Sequence, residues 1–145
     1  MNKKSQGDQK KVLLIEDEED LVIIYKTIFE KAGYAFMAEK DIERAQVAIK
    51  TKRPDLILLD LVLPKREVGM MNLAAKQGFV FLQQLKANRA TADIPVIILT
   101  NLNTIDDRQK AIELKANGYL IKSEFLPIQI IDKIREILKE KNLEF

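Results

Sequence analysis

Five polar residues stand directly after short apolar runs of the chain, and their types suit phosphate and metal chemistry. They are Glu16, Asp17, Asp60, Thr100 and Lys122. Carboxylates crowded together raise one another's pKa unless a cation relieves the charge. Mg²⁺ is such a cation, and it typically takes one or two carboxylates together with water and phosphate oxygens.

These side chains together suit the transfer of a phosphoryl group. A carboxylate such as that of Asp60 can attack phosphorus and form an acyl phosphate. Mg²⁺ and the Lys122 ammonium would neutralise charge on the transferring group, and the Thr100 hydroxyl would donate a hydrogen bond to it.

The composition excludes several other kinds of site. The chain has 145 residues with no Cys and no His. Without Cys there is no disulfide, zinc–thiolate site or cysteine nucleophile, and without His there is no imidazole ligand or Ser-His-Asp triad. Any metal must therefore be held by oxygen, which favours a hard cation such as Mg²⁺.

The charge balance and the apolar patterning argue against nucleic acid and membrane as binding partners. Lys and Arg number 24 against 22 Asp and Glu, for a net charge of +2, so we expect no direct binding of nucleic acid. No apolar run approaches the roughly 20 residues that cross a bilayer. The first ten residues, MNKKSQGDQK, lack the apolar centre of a secretory signal, so we expect a cytoplasmic protein without membrane insertion.

The apolar runs themselves predict buried strands. They are continuous rather than alternating and rich in Val, Ile and Leu, which is typical of parallel strands covered on both faces. The runs are Val12–Ile15, Leu56–Leu59, Val96–Leu99 and Tyr119–Ile121, and a weaker fifth strand is Tyr34–Ala38.

Helical periodicity lies after each strand. Gly33 follows the first helix, Asp41 and Thr104 precede the second and fourth, and Pro127 begins the fifth. Phe81, Leu82 and Leu85 mark the third helix. We expect the fourth helix to continue to Asn117-Gly118, and residues Asn142–Phe145 to fray from the last one.

Five alternating strand–helix units predict an α/β fold with a doubly wound parallel sheet and right-handed crossovers. For five strands the common order is 2-1-3-4-5, with the ligand site at the carboxyl ends of strands 1 and 3. In that order strands 1, 3, 4 and 5 are neighbours, so the five polar residues meet at one edge. We expect one domain over residues 11–141 and a disordered tail over residues 1–10.

Four segments resemble the marker segments of response-regulator receiver domains of two-component signal transduction. They are VLLIEDE at 12–18, LILLDLVLP at 56–64, VIILTN at 96–101 and GYLIK at 118–122. The resemblance covers about residues 11–140 and implies the flavodoxin-like receiver fold of the single-domain, stand-alone type. It also implies a signalling domain rather than an enzyme.

The resemblance implies a role for each marker residue. Asp60 is expected to accept a phosphoryl group from a sensor histidine kinase or phosphotransfer protein, beside Mg²⁺ held by Glu16, Asp17, Asp60 and the backbone carbonyl of Val62. Thr100 and Lys122 are expected to contact the phosphoryl group.

The resemblance also implies a switching face. Tyr119 stands where the family places an aromatic residue that changes rotamer on activation. The output surface is the fourth helix, fifth strand and fifth helix, about residues 104–141, for a downstream protein that the sequence does not name.

Three features depart from the family pattern. Roughly ten extra residues stand within 65–77, between the third strand and the third helix. Asn101, after Thr100, is bulkier than the usual small residue. Ser123 replaces the usual proline after Lys122, which leaves the isomer of the Lys122–Ser123 peptide bond open.

Two other functions fit parts of the pattern. One is a pseudo-receiver that binds partners without phosphorylation, which Asn101 and the extra residues leave open. The other is a Mg²⁺-dependent phosphatase with an aspartate nucleophile, which normally needs a second acid two residues on, where Val62 stands. By family analogy, Val62 and Leu102 also offer no side chain to orient an attacking water, so an acyl phosphate on Asp60 is expected to persist.

Overall fold

The structure is a computed structural model that describes residues 9–63 and 77–145. It contains a five-stranded parallel sheet in the order β2-β1-β3-β4-β5. The strands are β1 Lys11–Ile15, β2 Ala35–Glu39, β3 Leu56–Leu59, β4 Val96–Thr100 and β5 Gly118–Ile121. The predicted fold class and strand order are confirmed.

Helices cover both faces of the sheet. They are α1 Glu19–Lys31, α2 Ile42–Lys52, α3 Gln77–Ala87, α4 Ile105–Glu113 and α5 Pro127–Glu140, with a 3-10 helix at Lys122–Glu124. Alternate strand residues point to opposite faces, and the sheet accordingly has two apolar cores. Leu13 and Ile15 pack with α2, α3 and α4, whereas Val12 and Leu14 pack with α1 and α5. Within the described ranges, no helix is long and apolar enough to cross a bilayer.

Local capping fixes several of these helices as the sequence predicts. The Asp41 carboxylate accepts the backbone N–H of Arg44 at 2.8 Å. The Thr104 hydroxyl accepts that of Asp107 at 3.0 Å. Each bond satisfies an N–H group that the first turn of a helix leaves without a partner. Gly33 lies just past α1 with φ +96°, a conformation that favours glycine.

The predicted end of α4 at Asn117-Gly118 is wrong, because α4 ends at Glu113. Asn117 instead links β4 and α3: its side-chain oxygen accepts the Val96 N–H at 2.8 Å and the Lys86 ammonium at 3.0 Å. Gly118 begins β5, where an added Cβ would lie 2.8 Å from a methyl group of Ile137. Both residues have the types of a helix terminus, but they serve tertiary contacts.

Lys10 and Phe145, near the two ends of the chain, both contact the rest of the fold. The Lys10 carbonyl accepts the Ala35 N–H at 2.9 Å, and the Phe145 ring stacks on Tyr34 with centroids 4.5 Å apart. Residues Asn142–Phe145 were expected to fray, yet Leu143 and Phe145 pack against the α1–α5 core. Residues 1–8 and the extra residues expected at 65–77, apart from Gln77, lie outside the described residues.

Gly78 sets how closely α3 approaches the end of β3. An added Cβ would lie 2.5 Å from the Asp60 carbonyl oxygen and 2.6 Å from the Leu61 Cα, and neither backbone atom can rotate away. We therefore expect Gly78→Ala to lower the free energy of unfolding by about 1–3 kcal/mol, the usual cost of overpacking. Urea denaturation measures this loss, with Val80→Ala on the exposed side of α3 as the control. An unchanged Gly78→Ala midpoint would contradict the close approach.

Candidate functional site

Three of the predicted site residues form one buried ion cluster at the carboxyl edge of the sheet. The Lys122 Nζ lies 2.8 and 2.9 Å from the two Glu16 carboxylate oxygens and 2.7 Å from Asp60 Oδ2. Glu16 and Asp60 are 2% and 7% exposed. Two acids and one ammonium therefore share a site from which water is largely excluded.

The sheet places the two acids side by side. Ile15 lies opposite Leu59 at the end of the β1–β3 ladder, so Glu16 and Asp60 are the next residues on adjacent strands. The hydrogen bonding continues one step further, because Asp60 N donates to the Ile15 carbonyl at 3.2 Å and Glu16 N donates to that of Glu39 at 3.0 Å. Their side chains thus start from rigid backbone.

The second oxygen of Asp60 is held by its own loop. Asp60 Oδ1 accepts the backbone N–H of Val62 at 3.1 Å. This Asx-type turn, together with the Lys122 contact, orients the carboxylate at both oxygens. Val62 is the residue whose carbonyl is predicted as a ligand. In the structure its backbone N–H, and not its carbonyl, contacts Asp60.

Asp17 lies on the exposed side of the cluster. Carboxylate oxygens of Glu16, Asp17 and Asp60 all lie within 4.8 Å of one another. Two oxygens bound to one Mg²⁺ at about 2.1 Å are at most about 4.2 Å apart, so small side-chain movements would bring the three onto one ion. An all-oxygen donor set with two buried acids fits a hard divalent cation.

The electrostatics follow from burial and from the charge imbalance. Burial raises the pKa of Glu16 to about 8, with the Asp60 carboxylate adding to the shift and Lys122 opposing it. Burial alone would lower the pKa of Lys122, but Asp60 and Glu16 outweigh this effect and raise it. The lysine therefore stays charged, and the raised pKa of Glu16 favours a proton or a cation beside that carboxylate.

Thr100 and Tyr119 are brought together by the loop that follows β4. Thr100 is buried at the end of β4, and its hydroxyl oxygen accepts the Leu102 N–H at 3.3 Å. The Tyr119 hydroxyl donates to the Leu102 carbonyl at 2.7 Å, and the Arg108 guanidinium lies 5.5 Å from the ring centre. Burial raises the pKa of Tyr119 to about 12, so the phenol keeps its proton.

One contact at this edge was not foreseen from the sequence. The Asn101 side-chain oxygen accepts the Ser123 N–H at 2.9 Å. The sequence shows each residue as a separate departure from the family pattern, and their pairing needs the β4–β5 neighbourhood. The described residues contain no cis peptide, so the Lys122–Ser123 bond is trans.

Comparison with known proteins identifies the family. The family model of the response regulator receiver domain matches residues 12–135. The chain belongs to this family. It is therefore a receiver domain of two-component signalling, as the marker segments indicate.

Known relatives and structures agree with this membership. The chain is 32% identical over 131 residues to the "Probable transcriptional regulator ycf27" of Porphyridium aerugineum, covering 90% of this chain and 49% of the relative. It thus spans about half the length of the curated relatives it matches.

Among solved structures, the Mn²⁺-bound form of response regulator Rcp1 is 28% identical with a TM-score of 0.72, covering 88% of this chain and 92% of the other. The phosphorylated cyanobacterial phytochrome response regulator RcpA is 26% identical with a TM-score of 0.71 and the same coverage. Both TM-scores indicate that these structures share the fold of this chain.

The Lys122 ammonium compensates the buried acids of this receiver domain. In EDTA at pH 8.5 we expect Lys122→Met to lower the free energy of unfolding by about 3 kcal/mol, because it leaves buried carboxylates without a cation. At pH 6 the loss should be smaller, since the raised pKa of Glu16 lets protonation remove one charge. Urea denaturation at both pH values measures the difference.

The surface pair of Lys133 and Glu136 supplies the matched control, because their side chains are 42% and 63% exposed, against 10% for Lys122. Lys133→Met should change the unfolding free energy by less than about 1 kcal/mol at either pH. Equal losses for the two variants would contradict a compensating role for Lys122.

Proposed function

We propose that Asp60 accepts a phosphoryl group from a histidine kinase or phosphotransfer protein in a Mg²⁺-dependent reaction, and that this controls contacts with a partner protein. The observation that carries the proposal is the buried cluster of Glu16, Asp60 and Lys122 with Asp17 within reach of the same cation. Family membership supports it, since receiver domains are signalling domains.

The chemistry asked of Asp60 is a nucleophilic displacement at phosphorus. A carboxylate oxygen forms the new P–O bond while the P–N bond of a phosphohistidine donor breaks, and the imidazole leaves with the bonding electrons. The result is an acyl phosphate on a side chain whose backbone is fixed by β3.

Lys122 and Thr100 are suited to stabilise the transferring group. The Lys122 ammonium already contacts Asp60 Oδ2, so it lies beside the atom that would carry the phosphoryl group. The Thr100 hydroxyl oxygen accepts a backbone N–H, which leaves its own O–H as a donor. Both side chains are held by hydrogen bonds, which supports a role in stabilising charge that develops on the phosphoryl group.

Glu16, Asp17, Asp60 and the Val62 carbonyl are the proposed ligands of Mg²⁺. When bound, the cation supplies positive charge opposite the phosphoryl oxygens. The donor chemistry supports this assignment, and a similar protein, Rcp1, is known in a Mn²⁺-bound form.

The domain acts as a phosphoacceptor and not as a catalyst for a separate substrate. Val62 stands two residues after Asp60, where an aspartate phosphatase needs an acid for the leaving group. For output, α4 exposes Ile105 and Ile112, which are 80% and 72% accessible, and Tyr119 on β5 contacts the loop that leads into this helix. We propose that this α4–β5–α5 face, with Tyr119 as its switch residue, binds the downstream protein.

Incubation with phosphoramidate and Mg²⁺ tests the proposal directly. We expect intact mass spectrometry to show one added phosphoryl group on the wild type and none on Asp60→Asn, because an amide cannot act as the nucleophile. Asp132→Asn is the control, since its side chain is 77% exposed on α5. A wild type that gains no mass would favour the pseudo-receiver, and an Asp60→Asn variant that still gains mass would move the acceptor elsewhere.

The apolar residues beyond Asp60 and Thr100 predict a long-lived acyl phosphate. Val62 is 41% exposed beside Asp60, yet its side chain has no polar atom to orient water. We expect Val62→Gln to accelerate loss of the phosphoryl group several-fold, because an amide can hydrogen-bond the attacking water. The decay of the phosphorylated mass over time measures this rate, with Val80→Gln on α3 as control. Equal decay rates for Val62→Gln and the wild type would show that the side chain at position 62 does not set the lifetime of the acyl phosphate.

A further inference from the structure

Two loops begin at Thr100 and Lys122, the residues proposed to contact the phosphoryl group, and the Asn101 side chain joins these loops. Thr100 ends β4 and Lys122 follows β5, and the last pair of the β4–β5 ladder is Thr100 opposite Ile121. Beyond that pair the backbone ladder stops. Asn101 bridges the gap, because its side-chain oxygen accepts the Ser123 N–H at 2.9 Å.

The Ser123 N–H needs a partner from outside its own segment. Lys122–Glu124 is a 3-10 helix, and the first N–H groups of a helix have no acceptor within it. Its N-cap, Ile121, provides no side-chain bond. Asn101 therefore caps this helix from the neighbouring loop. A proline at position 123 would have no N–H to donate, so the contact depends on both residues.

The contact extends to the Thr100 hydroxyl through a short chain of bonds. Asn101 is covalently between Thr100 and Leu102, and the Leu102 N–H donates to the Thr100 hydroxyl oxygen at 3.3 Å. Tyr119 holds the same loop at the Leu102 carbonyl. Movement of Asn101 would thus change where the Thr100 hydroxyl points relative to Lys122.

We propose that Asn101 is a positioning residue for phosphoryl transfer to Asp60, because its bond to Ser123 holds the Thr100 loop and the Lys122 loop at a fixed separation. This inference rests on the proposed function of Asp60. Asn101 acts through Thr100 and Lys122, the proposed contacts of the transferring group, so it affects the rate of transfer rather than the binding of Mg²⁺.

Two substitutions separate the hydrogen bond from the bulk of the side chain. Asn101→Leu removes the acceptor and keeps a large side chain, whereas Asn101→Ala removes both. Two controls keep the contact: Ser123→Ala retains the backbone N–H, and Asn103→Ala removes a nearby amide that binds Arg108 instead. Urea denaturation of all four variants checks that they remain folded.

The measurements are the maximal rate of phosphorylation by phosphoramidate, the Mg²⁺ concentration that gives half of it, and hydrogen exchange of the Ser123 amide. We expect both Asn101 variants to lose about fivefold in maximal rate, the factor supplied by one hydrogen bond of typical net strength. The half-saturating Mg²⁺ should stay unchanged, and the Ser123 amide should exchange faster. The two controls should match the wild type.

Other outcomes decide against the proposal. If Asn101→Leu keeps the wild-type rate, or Asn101→Ala becomes faster, the side chain acts by its bulk and the positioning role is wrong. If the half-saturating Mg²⁺ shifts as much as the rate, Asn101 acts on the metal site instead. A wild type that takes up no phosphoryl group overturns the proposed function itself, whereas a phosphorylated wild type with equally fast variants overturns only this inference.

Discussion

The burial of two carboxylates beside a single ammonium is the constraint on which the rest of this site depends. Removing a charge from water costs several kcal/mol even after the protein relaxes, so the cluster persists only because each charge has a close partner. Lys122 contacts both Glu16 and Asp60, but one positive charge cannot balance two negative ones. Burial raises the pKa of Glu16, and the neighbouring Asp60 carboxylate adds to the shift. A site with this imbalance attracts a cation, and Asp17 provides a further oxygen on its open side.

The parallel sheet makes this arrangement possible. Its central strands are buried on both faces, since β1, β3 and β4 pack helices above and below. Their side chains are therefore apolar until the strand ends, and the first polar residue after each strand lies at the same edge. The backbone bonds that continue past Ile15 and Leu59 hold these residues as firmly as the strands themselves. The closely packed apolar interior behind these charged groups helps to hold them in place.

Much of the fold and the site could be predicted because both depend on local patterns. Continuous apolar runs predicted the strands, and the polar residues after them predicted which side chains would converge. The prediction of a helix end at Asn117 and Gly118 was wrong because it relied on residue type alone. Asn117 binds Val96 and Lys86, and Gly118 lies close to Ile137. The Asn101–Ser123 bond spans 22 residues, and no pattern in the sequence indicates a side chain that reaches a backbone group so far away.

If the proposed function holds, phosphorylation changes the charge balance of a cluster in which the Lys122 ammonium has two carboxylate partners. The Lys122 Nζ is shared between Glu16 and Asp60 at nearly equal distances. A phosphoryl group on Asp60 would add negative charge on that side and draw the ammonium toward it. Such a shift would move the segment after β5, and the neighbouring loop would follow because the Ser123 N–H binds Asn101 and the Tyr119 hydroxyl binds the Leu102 carbonyl. Since that loop leads directly into α4, a charge change at Asp60 has a continuous bonded route to the exposed apolar face of Ile105 and Ile112.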